Sequence, residues 1–462
     1  MNALVLSAIL GVVMMFSGIL LTSKTAVRNL AIAGLVGLLV ANILEMRGIV
    51  FFTIDLRGMI VFDNFALLFN SIAFGSALLY LLLSARDMEK VGVNYADYFA
   101  LIFFILCGIT LTSSFKSLLI LFLGIEIISI PLYILTGSDK KNLKSNEASL
   151  KYFLLGAFST GLMLMGIALI YGASGTFDTS VIGAYTTTPP SALLIAGMLL
   201  LLFSMAFKAS VAPFHFWTPD VYDGAPTVFT SFMATIVKAA VFIAFIRLFD
   251  DAFGFRQAQW QLFVAVLTVA TLFIGNITAV FQQSVKRMLA YSSIAQAGFM
   301  MLALYAMNTD AREGLLLYTA AYSLATIGIF AVLIKMKDHT FEGFNGFAKK
   351  QPLLAATTTI FLLSLAGIPL TAGFLSKFYM LKAVMSNGKN LWLVIFAVIM
   401  AAVSVYYYFR LIQAMYFKEA NQSDQPGNFP VTAVFKWTLV LLAVLVILLG
   451  IFPNLLLTWY YF

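Results

Sequence analysis

The sequence predicts an all-α integral membrane protein of about 14 transmembrane helices, arranged as two inverted five-helix units (spans 4–8 and 9–13) with broken helices at spans 7 and 12. Two observations carry this prediction. First, hydrophobic residues make up 62% of the 462-residue chain and charged residues only 10%, where a soluble domain carries about 25% charged residues. Mean hydropathy is +0.98, more apolar surface than one soluble core can hide, so hydrocarbon must be the solvent. Second, apolar runs recur along the whole chain at the length of about 20 residues that one helix needs to cross a bilayer.

The elements follow in order. Met1–Thr22 is apolar from its first residue, with no basic n-region and no cleavage motif, so it reads as a retained first span near 3–22 rather than a signal peptide. Spans near 28–46 and 63–84 complete an N-terminal three-helix segment, 1–96. Spans near 97–113, 116–136, 149–173, 191–219 and 226–249 form a first five-helix unit, 97–249. Spans near 260–281, 286–307, 313–336, 351–385 and 391–417 form a second, 260–417, and a span near 433–459 supplies the C-terminal helix in 433–462. Five is odd, so two such units would lie inverted in the membrane. The long runs at 191–219 and 351–385 hold Pro213 and Pro369. Proline removes a backbone donor and breaks the helix. Backbone groups freed at membrane depth persist only when packed in protein or lining a wet cavity, and paired breaks in two halves point to an ion path. Lys208 and Lys377 both fall on the outside flank of their breaks, whereas strict inversion would put one on each flank. Tyr185–Pro190, YTTTPP, reads as an extended outside loop. Glu147 reads as a cap in the first turn of span six, and Asp220 and Asp223 as caps at the start of the next helix.

Charge sets the orientation. The chain carries a net charge of +8, but its basic residues sit in short loops, where lipid headgroups and topology account for them better than nucleic acid. Loops after odd-numbered spans hold 17 basic residues and loops after even-numbered spans 8. The odd loops should therefore face the cytoplasm, with SDKKNLKS (Ser138–Ser145) and Ile334–Pro352 as the strongest clusters and both termini on the non-cytoplasmic side. The single cysteine, Cys107, and two histidines, His215 and His339, exclude an iron–sulfur cluster held by this chain alone and argue against haem. Any redox chemistry belongs to a partner.

Those 25 loop cations leave three of the 28 basic residues inside spans: Lys208, Lys238 and Lys377. Lys238 lies about 18 Å along a helix that starts near Pro226. Glu126, in LFLGIEIISIPLY, is the equally deep carboxylate. A lysine at the bilayer centre costs roughly 2.5–3.5 kcal/mol, so three cost roughly 8–10 kcal/mol. Buried ion pairs that only fix helix packing would be weak stabilisers and would leave two lysines without a carboxylate. An ion pathway is the better reading. Burial favours the neutral amine and a nearby carboxylate the charged one, so a buried lysine beside a movable charge can release and rebind a proton. His215, in APFHFWTPD, could carry a proton or cap the broken end. Tyr291, Ser292, Ser293 and Gln296 form a polar stripe in span ten, and Tyr318, Tyr322 and Ser323 one in span eleven. Either stripe could hold water or glue helices.

The runs FKASVAPFHFWTPDVYDGAPT, Ser145–Asp178, KRMLAYSSIAQAGFM and AGIPLTAGFLSKFYML resemble the antiporter-like membrane subunits of NADH–quinone oxidoreductase, respiratory complex I. These are related in turn to the large subunits of multisubunit sodium/proton antiporters, which gives the alternative reading. The resemblance covers about 111–382 well and the ends by span count. It implies that Glu126 and Lys208 are paired charges of spans five and seven, that Lys238 is the central relay lysine of span eight, and that Lys377 leads to the outer exit. It also implies NADH, FMN, iron–sulfur clusters and quinone on partner subunits, none of them on this chain, and a multi-pass place in the bacterial plasma membrane among the other membrane and peripheral subunits. The long lateral helix of the largest relative has no counterpart before the chain stops at Phe462. Relatives often carry histidine where Gln296 stands, which places an imidazole step in span ten in doubt, and a proline where Val228 stands.

Overall fold

The structure, a computed structural model, describes residues 1–185, 191–386, 390–419 and 431–461. The residues of YTTTPP beyond Tyr185 lie outside them. Among the described residues all extended regular structure is helical, and eleven helical stretches are long and apolar enough to cross a membrane. The N-terminal helices are α1 (Asn2–Leu20), α2 (Lys24–Met46) and α3 (Asn64–Met88). Next come α4 (Tyr95–Ser114), α5 (Leu118–Thr136), α6 (Leu143–Ser174) and the short α7 (Thr179–Ala184). α6 starts well before the apolar run does, because Asn142 accepts from Lys144 N and caps the helix beyond the hydrocarbon level. Glu147 is therefore not a cap. It stands in the second turn and pairs with Lys151 at 2.7 Å.

Both proline-bearing runs are broken. α8 (Ala192–Lys208) ends on the lysine itself, an irregular stretch follows, and α9 (Trp217–Gly224) resumes. The break includes Ser210 at φ 64 and a cis Ala212–Pro213 peptide. Its backbone groups are satisfied locally and by neighbours: Val211 N donates to Ala206 O, and Ala212 N to the Thr271 hydroxyl. In the second run α16 (Pro352–Ala366) and α17 (Ala372–Met385) flank Gly367 at φ +86 and Leu370 at φ +71. A glycine suits the first of these left-handed positions, since it carries no Cβ to clash.

Between the breaks, α10 (Thr227–Phe232) runs through a π turn at Met233–Val237 into α11 (Lys238–Phe253). A 3-10 turn at Gly254–Arg256 then leads to α12 (Gln257–Val280), α13 (Val285–Ala306) and α14 (Thr309–Lys335). α15 (Phe347–Lys350), α18 (Leu391–Phe417), α19 (Ala433–Ile451) and α20 (Asn454–Leu457) complete the chain. Asp220 and Asp223 cap no helix. Asp220 pairs with Lys151 and Arg287, and the residue at the start of α10 is Pro226.

The centre of the bundle is α13 and α14, whose apolar stretches are each 94% buried, against 28% for α1. α13 packs on α9, α12, α14 and α17, and so touches both broken helices. Small residues make the close approaches: a Cβ on Gly275 of α12 would lie 2.5 Å from Ala295 N of α13, the small-residue contact that lets membrane helices pack.

A line of buried lysines and hydroxyls

Glu126 sits on α5 beside the exposed apolar stripe of Leu119, Leu123, Ile130 and Ile134, and is itself half-buried. Its carboxylate accepts from the Thr160 hydroxyl of α6 at 2.8 Å. Lys208 Nζ donates to the same hydroxyl oxygen at 3.3 Å and to the Ser129 hydroxyl at 2.9 Å. Among the described residues the two charges form no direct ion pair. They share a threonine instead. Neither Thr160 nor Ser129 stands out in sequence, because an uncharged hydroxyl in an apolar run carries no hydropathy signal.

Beyond Lys208 the broken segment is aromatic. Trp217 stacks on Tyr152 at 4.8 Å and donates its indole N–H to Phe207 O at 3.1 Å. Tyr222 follows, and its ring lies 5.8 Å from Lys238 Nζ. His215 is buried and its ring stacks on Phe216. Among the described residues its Nδ1 has no hydrogen-bond partner, and the same holds for the Ser210 and Thr218 hydroxyls.

Lys238 is 2% exposed. Its ammonium donates to the Ser293 carbonyl at 3.0 Å and also bonds the Ser293 hydroxyl. The next residue on α13, Ser292, bonds the Tyr408 hydroxyl of α18. Gln296, one turn on, donates to Tyr408 at 3.1 Å and to Leu365 O at 3.0 Å, and accepts from Tyr318. Leu365 O is shared: Lys377 Nζ donates to it at 2.7 Å and to Ala366 O at 3.2 Å. Lys377 thus neutralises the partial negative charge at the C-terminal end of α16, and lies 4.7 Å from the Phe299 ring centre. A cavity of about 10 Å³ beside it, lined by Gln296, Tyr318, Tyr322 and Ser376 among others, has room for about one water. The buried Tyr322 hydroxyl has no partner among the described residues.

The polar stripe of span ten therefore joins helices through Ser292, Ser293 and Gln296, while Tyr291 stays outside the network. The structure also shows a buried lysine that the sequence counts as a loop cation. Lys286, 5% exposed, donates to Asp223 O at 2.8 Å and Ala225 O at 2.7 Å, closing the C-terminal end of α9. Hydropathy alone cannot separate a loop lysine from one that folds back under a helix end. Among the described residues no three His, Cys, Asp or Glu side chains converge as metal ligands.

Comparison with known proteins bears on this geometry. The family model described as "NADH:quinone oxidoreductase/Mrp antiporter, TM" matches residues 116–404, the stretch that holds every residue of the line except Tyr408. A protein of Cytophaga hutchinsonii named NADH-quinone oxidoreductase subunit N is 40% identical over 461 residues, covering 99% of each chain. A chain of respiratory complex I from Thermus thermophilus with bound aureothin superposes with a TM-score of 0.85 at 33% identity, over 99% of this chain and 98% of that one. A chain of the Mrp complex from Dietzia reaches a TM-score of 0.85 at 18% identity, over 99% of this chain and 96% of that one, a likeness of fold alone. By the family match and the full-length 40% identity, the chain belongs to the NADH:quinone oxidoreductase/Mrp antiporter membrane family, in its NADH-quinone oxidoreductase subunit N branch.

Proposed function

We propose that this chain is a proton-translocating membrane subunit of a bacterial NADH-quinone oxidoreductase, and that its protons move along Glu126, Lys208, Lys238 and Lys377 with His215 beside the break. The observation that carries the route is the hydrogen-bonded line on α13. From Lys238 through Ser293, Ser292, Tyr408, Gln296 and Leu365 O to Lys377, successive groups lie within bonding reach or on adjacent residues. At the other end, Thr160 lets the charges of Glu126 and Lys208 sense one another without fusing into an ion pair. A proton arriving at Glu126 removes the negative charge beside Lys208 and favours release of its proton toward Lys238. The orphan polar atoms of Ser210, His215 and Thr218 support a hydrated step across the break. Gln296 has no proton to give, so in this chain it orders Tyr318, Tyr408 and Leu365 O and leaves the charge to the lysines.

The same reading takes in topology. Fourteen crossings follow if α10–α11 and α12 are counted separately within the 54-residue apolar stretch Thr227–Val280 and each broken pair is counted once. Support comes from how the charged ends group. Asp63, Arg247, Asp250, Arg312 and Tyr461, all at the ends of even-numbered spans or the starts of the next, surround one cavity of about 660 Å³. Lys144, Asp220, Asp223 and Arg287, all at the ends of odd-numbered spans or the starts of the next, surround another. The excess of basic residues then assigns the second face to the cytoplasm and both termini to the other. The two inverted units, 97–249 and 260–417, would each contribute one broken helix, with 1–96 and 433–462 packed outside them. NADH, FMN, iron–sulfur and quinone chemistry would lie on partner subunits.

The test is Lys238→Met in the assembled complex, with NADH-driven quinone reduction and proton uptake into inverted vesicles recorded together. Loss of pumping in an intact complex supports the route. Unchanged pumping refutes it. A response to sodium without NADH would favour the antiporter reading instead.

A further inference from the structure

On one face of the molecule the ends of α2, α3, α14 and α19 enclose a cavity of about 400 Å³, within the size range of small-molecule sites. Arg28, Arg86, Lys90 and Lys335 line it together with Asn29 and Thr432, and among the described residues no carboxylate does. The nearby acids are already engaged: Glu89 pairs with Arg28 at 2.7 Å, and Asp87 with Lys90 and Lys335. That leaves two cations in excess of the two acids. Arg86 is exposed and makes no ion pair among the described residues. Thr432 caps α19 by accepting from Phe435 N, which turns that helix's positive end toward the same space.

The floor and sides are apolar. Ile32, Leu82, Val434 and Phe435 line the cavity. From it two exposed ridges run along the membrane-facing surface at helical spacing. Arg28, Ile32, Val36 and Val40 recur every four residues on α2, so a cation heads an apolar row. Val434, Trp437, Leu441 and Val444 continue from it on α19, between 44% and 71% exposed. A soluble anion would use the cations and leave both ridges bare. An apolar partner would leave four cations desolvated, which is costly.

We propose that this cavity is a binding site for an anionic phospholipid, with the headgroup phosphate held by Arg28, Arg86, Lys90 and Lys335 and the acyl chains laid along the α2 and α19 ridges. The site lies apart from the lysine line and uses none of its residues.

The complete complex is reconstituted in nanodiscs of phosphatidylcholine doped with a trace of photoactivatable phosphatidylglycerol, illuminated and digested. Label is expected on peptides carrying residues 28–40 or 431–444. Arg86→Gln with Lys90→Gln removes two surface cations and should cut that labelling roughly thirtyfold at sub-saturating probe, with NADH oxidation unchanged. The charge-conserving pair Arg86→Lys with Lys90→Arg should keep it, which separates lost charge from lost fold. Excess phosphatidylglycerol should displace the probe, while phosphatidylcholine and inorganic phosphate should not. The proposal is overturned by equal labelling with a photoactivatable phosphatidylcholine, by displacement with inorganic phosphate (a free-anion site), by undiminished labelling in the Gln pair, or by no labelling of these peptides in the wild type (a face covered by another subunit).

Discussion

Thr160→Val tests the junction between Glu126 and Lys208 with almost no change of volume. In the native structure the Thr160 hydroxyl donates to Glu126 at 2.8 Å and accepts from Lys208 at 3.3 Å. A hydrogen bond to a charged group contributes about 1.5–3 kcal/mol. The first of these contacts is short and the second long, so about 2 kcal/mol of coupling is lost when a methyl replaces the hydroxyl. At 1.4 kcal/mol per factor of ten, the exchange between the two charges changes by about thirtyfold. Lys208 keeps Ser129 as an acceptor at 2.9 Å, so the helices stay packed and the complex should assemble. The assay is NADH-driven acidification of inverted membrane vesicles, with assembly checked by native electrophoresis. Thr160→Val should depress proton uptake by more than tenfold, and Thr160→Ser, which restores the hydroxyl, should recover most of it. An assembled Thr160→Val complex that pumps at the wild-type rate would show that the threonine only fills space, and the coupling argument would fall.

Three further outcomes are expected. Lys286→Met leaves the carbonyls of Asp223 and Ala225 without their donor, which costs about 2–4 kcal/mol and should lower the melting midpoint of the purified complex, whereas Lys286→Arg should not. Gly373→Ala would put a Cβ 1.8 Å from Ser364 O, so α17 must leave α16 and no assembled subunit should appear on a native gel. In the loop after α14, burial and the Lys286 charge hold the His339 imidazole below its ordinary value, against the opposing pull of Asp223 and Asp338. The folded loop therefore prefers the neutral ring. Its protection is complete above the ordinary histidine value of about 6.5 and lost as pH falls below it, where the opened loop takes up the proton. Amide protection of residues 336–346, corrected for intrinsic exchange, should drop between about pH 7.5 and 5.5, and His339→Gln should flatten that dependence.

The lysines were legible in the sequence because a charge inside an apolar run has no cheap explanation. Lys208, Lys238 and Lys377 stood out on hydropathy alone, and Pro213 and Pro369 marked where the backbone would open. What surrounds them was not legible. Thr160, Ser129 and Tyr408 are ordinary residues of membrane helices, and only the packing of α5 on α6 and of α13 near α18 brings them to the charges. The partner of Lys377 is a pair of backbone carbonyls, which no side-chain pattern encodes. Glu147, Asp220 and Asp223 sat where caps belong by spacing, yet Asn142 takes the cap of α6, while Lys151 and Arg287 draw Asp220 into a surface ion-pair cluster and Asp223 meets Lys286 through its carbonyl.

The π turn at Met233–Val237 ends where Lys238 begins. Such a turn accommodates one residue more than an α-helix would, and each residue of an α-helix advances the bearing by about 100° and the axis by 1.5 Å. Removing a single residue from this five-residue stretch would let the helix run on regularly with Lys238 still near Ser293, whereas a further inserted residue would swing the lysine about a quarter-turn away and into the packed wall of the bundle. The chain length here acts as a vernier. Met233, Ala234, Thr235, Ile236 and Val237 are all buried, so this short stretch is held in side-chain volume as well as against any added residue.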